Sequence, residues 1–239
     1  MKDLFGQAIL DYQTKNSPEN MTTATNISDA DEMDVSYLFR DFHEMPLIEQ
    51  TALNLAKGRV LDVGCGAGSH VLYLQNHKKL ETVAVDLSPK AIEACKLRGL
   101  KNSFCANIFD ITTNDFGQFD TILLLMNGTG ICGELKKIDL FLQKLKSLLL
   151  VGGQILVDSS DILYMFDPDE IDEIVQNSES QYYGELIFDL VYKNQQEEPF
   201  YWLYLDFETL KKACAKNGLI CEKIEAGENQ DYLARLMIF

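Results

Sequence analysis

Apolar residues recur along this chain in two rhythms. One is the short unbroken run, as in Val60–Val63, Thr82–Val85 and Gln118–Met126 (QFDTILLLM), each closed by a glycine, an acid or an asparagine. Such runs, bounded by turn residues, are the pattern of strands buried on both faces of a parallel sheet. The other rhythm brings apolar residues back at helical spacing. Leu135, Ile138, Leu142, Leu145 and Leu148 fall on one face of a helix over Glu134–Leu149. Ser69–Asn76, Ser88–Arg98 and Phe207–Asn217 read the same way. Ser88 is suited to cap its helix, Pro89 to its first position, and Gly99 and Gly218 to the ends of theirs. Strands at Val60–Val63, Leu80–Asp86, Asn102–Ala106, Gln118–Met126 and Gln154–Val157 therefore alternate with helices, the order of an α/β fold.

The flanks read differently. Leu4–Tyr12 has the pattern of a short amphipathic helix, and the polar Thr14–Asp34 reads as a loop or lid. Val35–Phe42 and Met45–Ala56 return to helical spacing. After Asp167-Pro168-Asp169, a turn or helix start, come two strand-like runs, Leu186–Tyr192 and Phe200–Asp206 (FYWLYLD), around the polar Lys193–Pro199. They predict a hairpin that extends from the main sheet near the site, with aromatics available to wall a pocket. Leu219–Glu225 and Tyr232–Ile238 are the last two strands.

The chemistry concentrates at Arg59–His70, RVLDVGCGAGSH. A strand that runs through glycines into a helix aims free backbone N–H groups at a ligand. About twenty residues on, the next strand ends in Asp86, placed to accept from ribose hydroxyls. Asp62 stands two residues before Gly64, followed by Gly66 and Gly68. The pattern VLDVGCGAG, then VAVDLSP, resembles the class I S-adenosylmethionine-dependent methyltransferases, whose first motif is (D/E)xGxGxG. The GxGxxG of nicotinamide-dependent oxidoreductases is a different spacing.

The resemblance implies a Rossmann-like, doubly wound, seven-stranded sheet of order 3-2-1-4-5-7-6 with the last strand antiparallel, an N-terminal helical cap and a β-hairpin insertion. It implies S-adenosylmethionine as cofactor. Gly64 and Gly66, with Cys65 and Gly68 in the same turn, would approach its amino-acid part, and Asp62 would orient the amino group. Asp86 would hold the ribose, and Leu87 and Ile108 would flank the adenine. Asn107 stands where the family has an acid at the adenine edge, with Asp110 the nearest carboxylate. The loop of Asn127 (NGTG) would lie by the methyl group, where amino-group methylases of nucleic acid carry an Asn/Asp-Pro-Pro-aromatic motif. In the family, N-terminal helices cover the cofactor and line the substrate pocket, which makes Tyr12, Tyr37, Phe39, Arg40 and His43 candidates. Methyl transfer needs alignment and water exclusion more than a dyad. The candidate bases are His43 and His70, and the candidate acceptor-orienting carboxylates Asp158 and Asp161.

Composition narrows the rest. A chain of 239 residues, 46% hydrophobic, suits one methyltransferase domain. It divides into a cap or lid (1–57), a cofactor-binding core (58–161), an insertion near the substrate (162–206) and a C-terminal helix with antiparallel strands (207–239). The net charge of −16 argues against a nucleic-acid partner, since the only basic doublets are Lys78–Lys79, Lys136–Lys137 and Lys211–Lys212. The six cysteines form no CxxC pair, and no metal ligands are assigned. No run reaches membrane-spanning length, and a cytoplasmic enzyme with reduced thiols is expected. A small-molecule acceptor leads, ahead of a basic protein segment or a binding module without catalysis; the oligomeric state stays open.

Overall fold

The computed structural model describes residues 2–177 and 182–239. The chain opens with α1 (Leu4–Thr14), β1 (Met21–Thr25), β2 (Ser28–Met33), a 3-10 turn (Val35–Phe39) and α2 (Leu47–Leu55). Next come β3 (Arg59–Val63), α3 (Ser69–Tyr73), which continues as a π-helical turn (Leu74–Lys78), β4 (Glu81–Asp86), α4 (Pro89–Leu97) and β5 (Ser103–Cys105). α5 (Thr113–Phe116), β6 (Phe119–Leu124), a 3-10 turn (Gly128–Cys132), α6 (Ile138–Leu148) and β7 (Leu149–Ser160) follow. The last third holds a 3-10 turn (Ile162–Met165), α7 (Ile171–Asn177), β8 (Glu185–Tyr192), β9 (Gln195–Gln196), β10 (Phe200–Leu203), α8 (Phe207–Lys216), β11 (Leu219–Ala226) and β12 (Asp231–Ile238).

Seven strands form one sheet in the order β11-β12-β7-β6-β3-β4-β5. The strands β3 to β7 are parallel, and β12 runs antiparallel to both neighbours. This is the predicted 3-2-1-4-5-7-6 order. Burial on both faces explains why its strands read as continuous apolar runs. Leu61, Val63, Ile122 and Ile155 pack on one face with Phe141 and Leu145 of α6. Val60, Leu123 and Leu156 pack on the other with Ile48, Ala52 and Leu53 of α2. Each such side chain contributes about 1.5–3 kcal/mol on burial. The C-terminal end of α2 is closed by Lys78, whose Nζ donates to the carbonyls of Leu53, Asn54 and Ala56 at 2.9, 2.7 and 2.7 Å.

The flanks depart from the sequence reading. The polar stretch predicted as a loop contains β1 and β2, and β8 and β10 do not extend the main sheet. These strands form a separate sheet, β10-β8-β1-β2, with β9 paired to β8. β1 lies antiparallel to β8, with Thr23 opposite Leu190. β2 (SDADEM) is an edge strand exposed along most of its length, so it carries no burial rhythm, and its charges protect a bare edge.

α1 is fastened to this second sheet at both ends. The buried Glu197 accepts from the backbone N–H of Lys2 (2.6 Å) and Leu4 (3.0 Å), capping the helix from outside. At the other end the buried Asp11 accepts from Lys193 Nζ (2.7 Å), Tyr192 (3.1 Å) and Asn16 (2.9 Å). Leu4, Ala8, Ile9 and Met21 share a core with Leu190 and Tyr192. α1 also lies against α4, where Gly6 faces Ser88 so closely that an added Cβ would stand 1.8 Å from its Oγ. Among the described residues no helix is long and apolar enough to cross a membrane.

Candidate active site

The carboxyl ends of β4, β3, β6 and β7 lie side by side in the sheet, the place where open parallel sheets bind ligands. The turn after β3 is tied to the next strand, since the N–H groups of Gly64 and Cys65 both donate to Val85 O, at 2.9 and 3.1 Å. Gly64 and Gly66 have φ of +74° and +51°, a backbone that side chains resist. An added Cβ on Gly66 would meet nothing within 4 Å, so the turn faces open space. Gly68 is packed instead, against Leu100 and Cys95. Cys65 is buried beneath the turn, with its Sγ 3.9 Å from that of Cys95.

Two carboxylates frame the turn. Asp86 accepts from Gly66 N–H at 2.8 Å through one oxygen and from Ser88 N–H at 2.9 Å through the other. Burial nevertheless leaves its pKa above the ordinary value. Asp62 is 2% exposed, and its Oδ2 has no hydrogen-bond partner among the described residues. Burial pushes its pKa up to about 6, with the Asp86 and Glu49 charges adding to the rise and His70 opposing it. A buried carboxylate oxygen free to accept, beside a glycine turn that is open at Gly66, fits a cationic donor. The α-amino group of S-adenosylmethionine suits Asp62, and its ribose suits Asp86.

Of the residues expected to flank the adenine, Leu87 is exposed and Ile108 buried. Asn107 Oδ1 accepts from Phe109 N–H at 3.0 Å, so the residue that replaces the family's acid braces its own turn. Asp110 is exposed in the same turn, its N–H bonded to Asn107 O.

The histidine candidates part company. His43 is exposed in the turn before α2, with its N–H donated to Asp41. His70 is buried, its Nε2 2.6 Å from Glu49 Oε2, and the other Glu49 oxygen accepts from Arg40. Burial lowers the His70 pKa, but the bond to Glu49 and the Asp62 charge outweigh it and raise it overall. Arg40 also stacks under Tyr37, 3.7 Å from the ring centre, and Tyr12 packs on Phe39 at 4.5 Å. Glu49 was not identified from sequence. Its one signal is an acid beside Ile48 on a helix face that packs inward.

The loop after β6 is clamped by the end of β7. Asp158 accepts from Met126 N–H (3.1 Å) through Oδ2 and from Gly128 N–H (3.3 Å) through Oδ1. Ser160 Oγ donates to Asn127 Oδ1 at 2.9 Å, and the Thr129 and Ser159 hydroxyls lie 2.7 Å apart. Met126 and Asn127 both have positive φ, +67° and +56°, at a strain on the order of 1–3 kcal/mol each. Burial raises the Asp158 pKa to about 7, against the pull of its two N–H donors. Asp161 accepts from Leu163 N–H (3.1 Å) and Tyr183 OH (2.9 Å). Thr129 also donates to Leu203 O (2.8 Å), and Leu205 N–H to Ser159 (2.8 Å), which joins the end of β10 and the residues after it to the loop and to β7. Trp202, one of the aromatics of FYWLYLD, lies over Gly130, where an added Cβ would stand 1.9 Å from its ring.

Comparison with known proteins agrees with this geometry. Residues 54–219 match the model of a family described as a methyltransferase domain. The chain is similar to a crystallised SAM-dependent methyltransferase from Bacteroides fragilis in complex with S-adenosyl-L-homocysteine, at 43% identity over 99% of this chain and 95% of that one, TM-score 0.89. It resembles a ribosomal RNA small subunit methyltransferase C from Shewanella sediminis, 37% identical over 100 residues, which cover 38% of this chain and 29% of that protein. It also resembles a ubiquinone biosynthesis O-methyltransferase from Xanthomonas oryzae, 34% identical over 77 residues, covering 29% of this chain and 31% of that protein. The chain thus spans less than a third of the length of these curated relatives. The full-length likeness, the family match and the strand-tip site together place this chain in the class I S-adenosylmethionine-dependent methyltransferases, enzymes whose cofactor is S-adenosylmethionine.

Proposed function

We propose that this enzyme methylates a small-molecule acceptor bound between the strand tips and the cap. The observation that carries the reading is the acidic, aromatic character of that space. Asp62, Asp86 and Asp158 floor it, and Tyr37 and Tyr204 stand close enough to feel the Asp158 charge. Arg40 is committed to Glu49, and Arg98 to Ala67 O and Ser69 Oγ. A polyanionic backbone would meet repulsion there, in a chain of net charge −16. Neutral or cationic acceptors fit better. The relatives' names include both an RNA and a small-molecule enzyme, and the charge favours the latter.

When bound, S-adenosylmethionine supplies a methyl group already activated on a sulfonium. The protein's part is to orient and to exclude water. Asp62, Gly64, Cys65, Gly66 and Gly68 hold the amino-acid end, and Asp86 the ribose. Leu87, Asn107 and Ile108 take the adenine, and Asn127 borders the methyl end. On this reading residues 58–161 form the core, 1–57 and 162–206 the cap, and 207–239 complete the sheet. The enzyme works in the cytoplasm with its cysteines reduced.

The test is transfer from methyl-labelled S-adenosylmethionine to a cell extract separated into small-molecule, protein and RNA fractions. Label in the small-molecule fraction is expected. Label only in RNA or protein would overturn the acceptor class. Saturable binding of S-adenosylhomocysteine with no labelled product in any fraction would favour a binding module.

A further inference from the structure

We propose that Asp158 is a positioning residue, not the base that takes the acceptor's proton: its carboxylate holds the backbone on either side of Asn127, and so fixes that side chain at the mouth of the site. This rests on the reading of the β6 loop as the border of the methyl end.

The geometry is that of a clamp. The two Asp158 oxygens accept from Met126 and Gly128, the residues flanking Asn127. Ser160 then fixes the Asn127 carboxamide itself. Three successive residues at the end of β7 thus hold four successive residues of the loop, two of them in the left-handed region. Methionine gains nothing from that conformation, so the fold must impose it. The clamped segment also reaches the cofactor turn, because Ile131 lies where an added Cβ on Gly64 would be 2.8 Å from its Cδ1. A carboxylate whose two oxygens each accept a backbone N–H, in a residue only 8% exposed, is poorly placed to meet a substrate and take its proton.

The clamp works only while Asp158 is ionised. On protonation one oxygen becomes a donor and faces an N–H donor. The charged and titratable groups facing Asp158 are Glu49 on α2, His70 on α3, Tyr37 on the first 3-10 turn and Tyr204 after β10. Asp158→Asn places an NH2 where the protonated oxygen would be, and so mimics the acid form at every pH.

The test reads the two amides directly in the full chain with S-adenosylhomocysteine added. NMR-detected hydrogen exchange of Met126 and Gly128, corrected for intrinsic rate, should lose about tenfold or more of its protection in Asp158→Asn, while β3 and β4 stay protected. Wild-type protection at these two amides should fall together as pH drops through about 7, and the variant should show no such step. In the labelled-methyl assay kcat should fall about tenfold or more with KM for S-adenosylmethionine within about threefold, and Ser160→Ala should move kcat in the same direction. Retained protection with lost turnover is the pattern of a base and would overturn the proposal. Lost protection with unchanged turnover would overturn it too. Should Asp158→Asn fail to fold, Ser160→Ala carries the turnover test, and the pH step in wild type carries the exchange test. If no fraction accepts methyl, the acceptor reading fails separately, and the amides still decide the clamp.

Discussion

Asp62 holds a charge that its buried surroundings disfavour. Its pKa stands at about 6 against an ordinary 3.8, because burial disfavours the carboxylate. Two pKa units correspond to about 3 kcal/mol of preference for the neutral form in the folded chain. The sign follows from the raised value. Below pH 3.8 Asp62 is neutral in both folded and unfolded chains and costs nothing; between 3.8 and 6 the cost grows; above 6 it is complete. Asp62→Asn keeps the shape and removes the charge. At pH 7.5 without ligand it should stabilise the fold by about 1–3 kcal/mol, the lower figure allowing for an amide NH2 that needs partners of its own. For a chain of this size that is a rise in Tm of roughly 2–10 °C. The gain should vanish near pH 4. The same variant should bind S-adenosylhomocysteine about tenfold or more weakly, because the amino group loses its carboxylate. The assay is thermal unfolding of both proteins at pH 4.5 and 7.5, with and without S-adenosylhomocysteine, plus calorimetry. A variant no more stable than wild type at pH 7.5, or stabilised by the ligand to the same degree, would refute the reasoning.

Further outcomes follow from the same contacts. Asp86→Ala strips an acceptor from Gly66 and Ser88 as well as from the ribose, and should weaken S-adenosylhomocysteine binding by at least about 1 kcal/mol; unchanged affinity in a folded variant removes the ribose assignment. Gly6→Ala forces α1 off Ser88 and should destabilise by about 1–3 kcal/mol, read as a lower Tm; a Tm within about 1 °C of wild type would show that α1 can shift freely. Removing residues 1–34 takes Leu4, Ala8, Ile9 and Met21 from their core and bares the edge of β8, so the truncated chain should be insoluble or lack cooperative unfolding. A soluble, cooperatively folded truncation would restore the lid reading.

By itself the sequence determined the seven-stranded sheet and the acids at its tips. The reason is local. A strand buried on both faces must be apolar throughout, a helix on that sheet must repeat its apolar face, and a turn that offers its N–H groups to a ligand must be glycine. Val60–Val63, the apolar face of α6, Gly66, Asp62 and Asp86 each carry their reason within a few residues. The tertiary structure decided what depends on partners distant in the chain. β2 became a strand because β1 pairs with β8, although SDADEM has no apolar rhythm. His70 meets Glu49 from α2, and Asp158 meets the N–H groups of the β6 loop, partners that neither residue's own stretch of sequence names. Composition names the ionisable groups. Their roles are set by which neighbours satisfy them, and those neighbours meet only when the chain has folded.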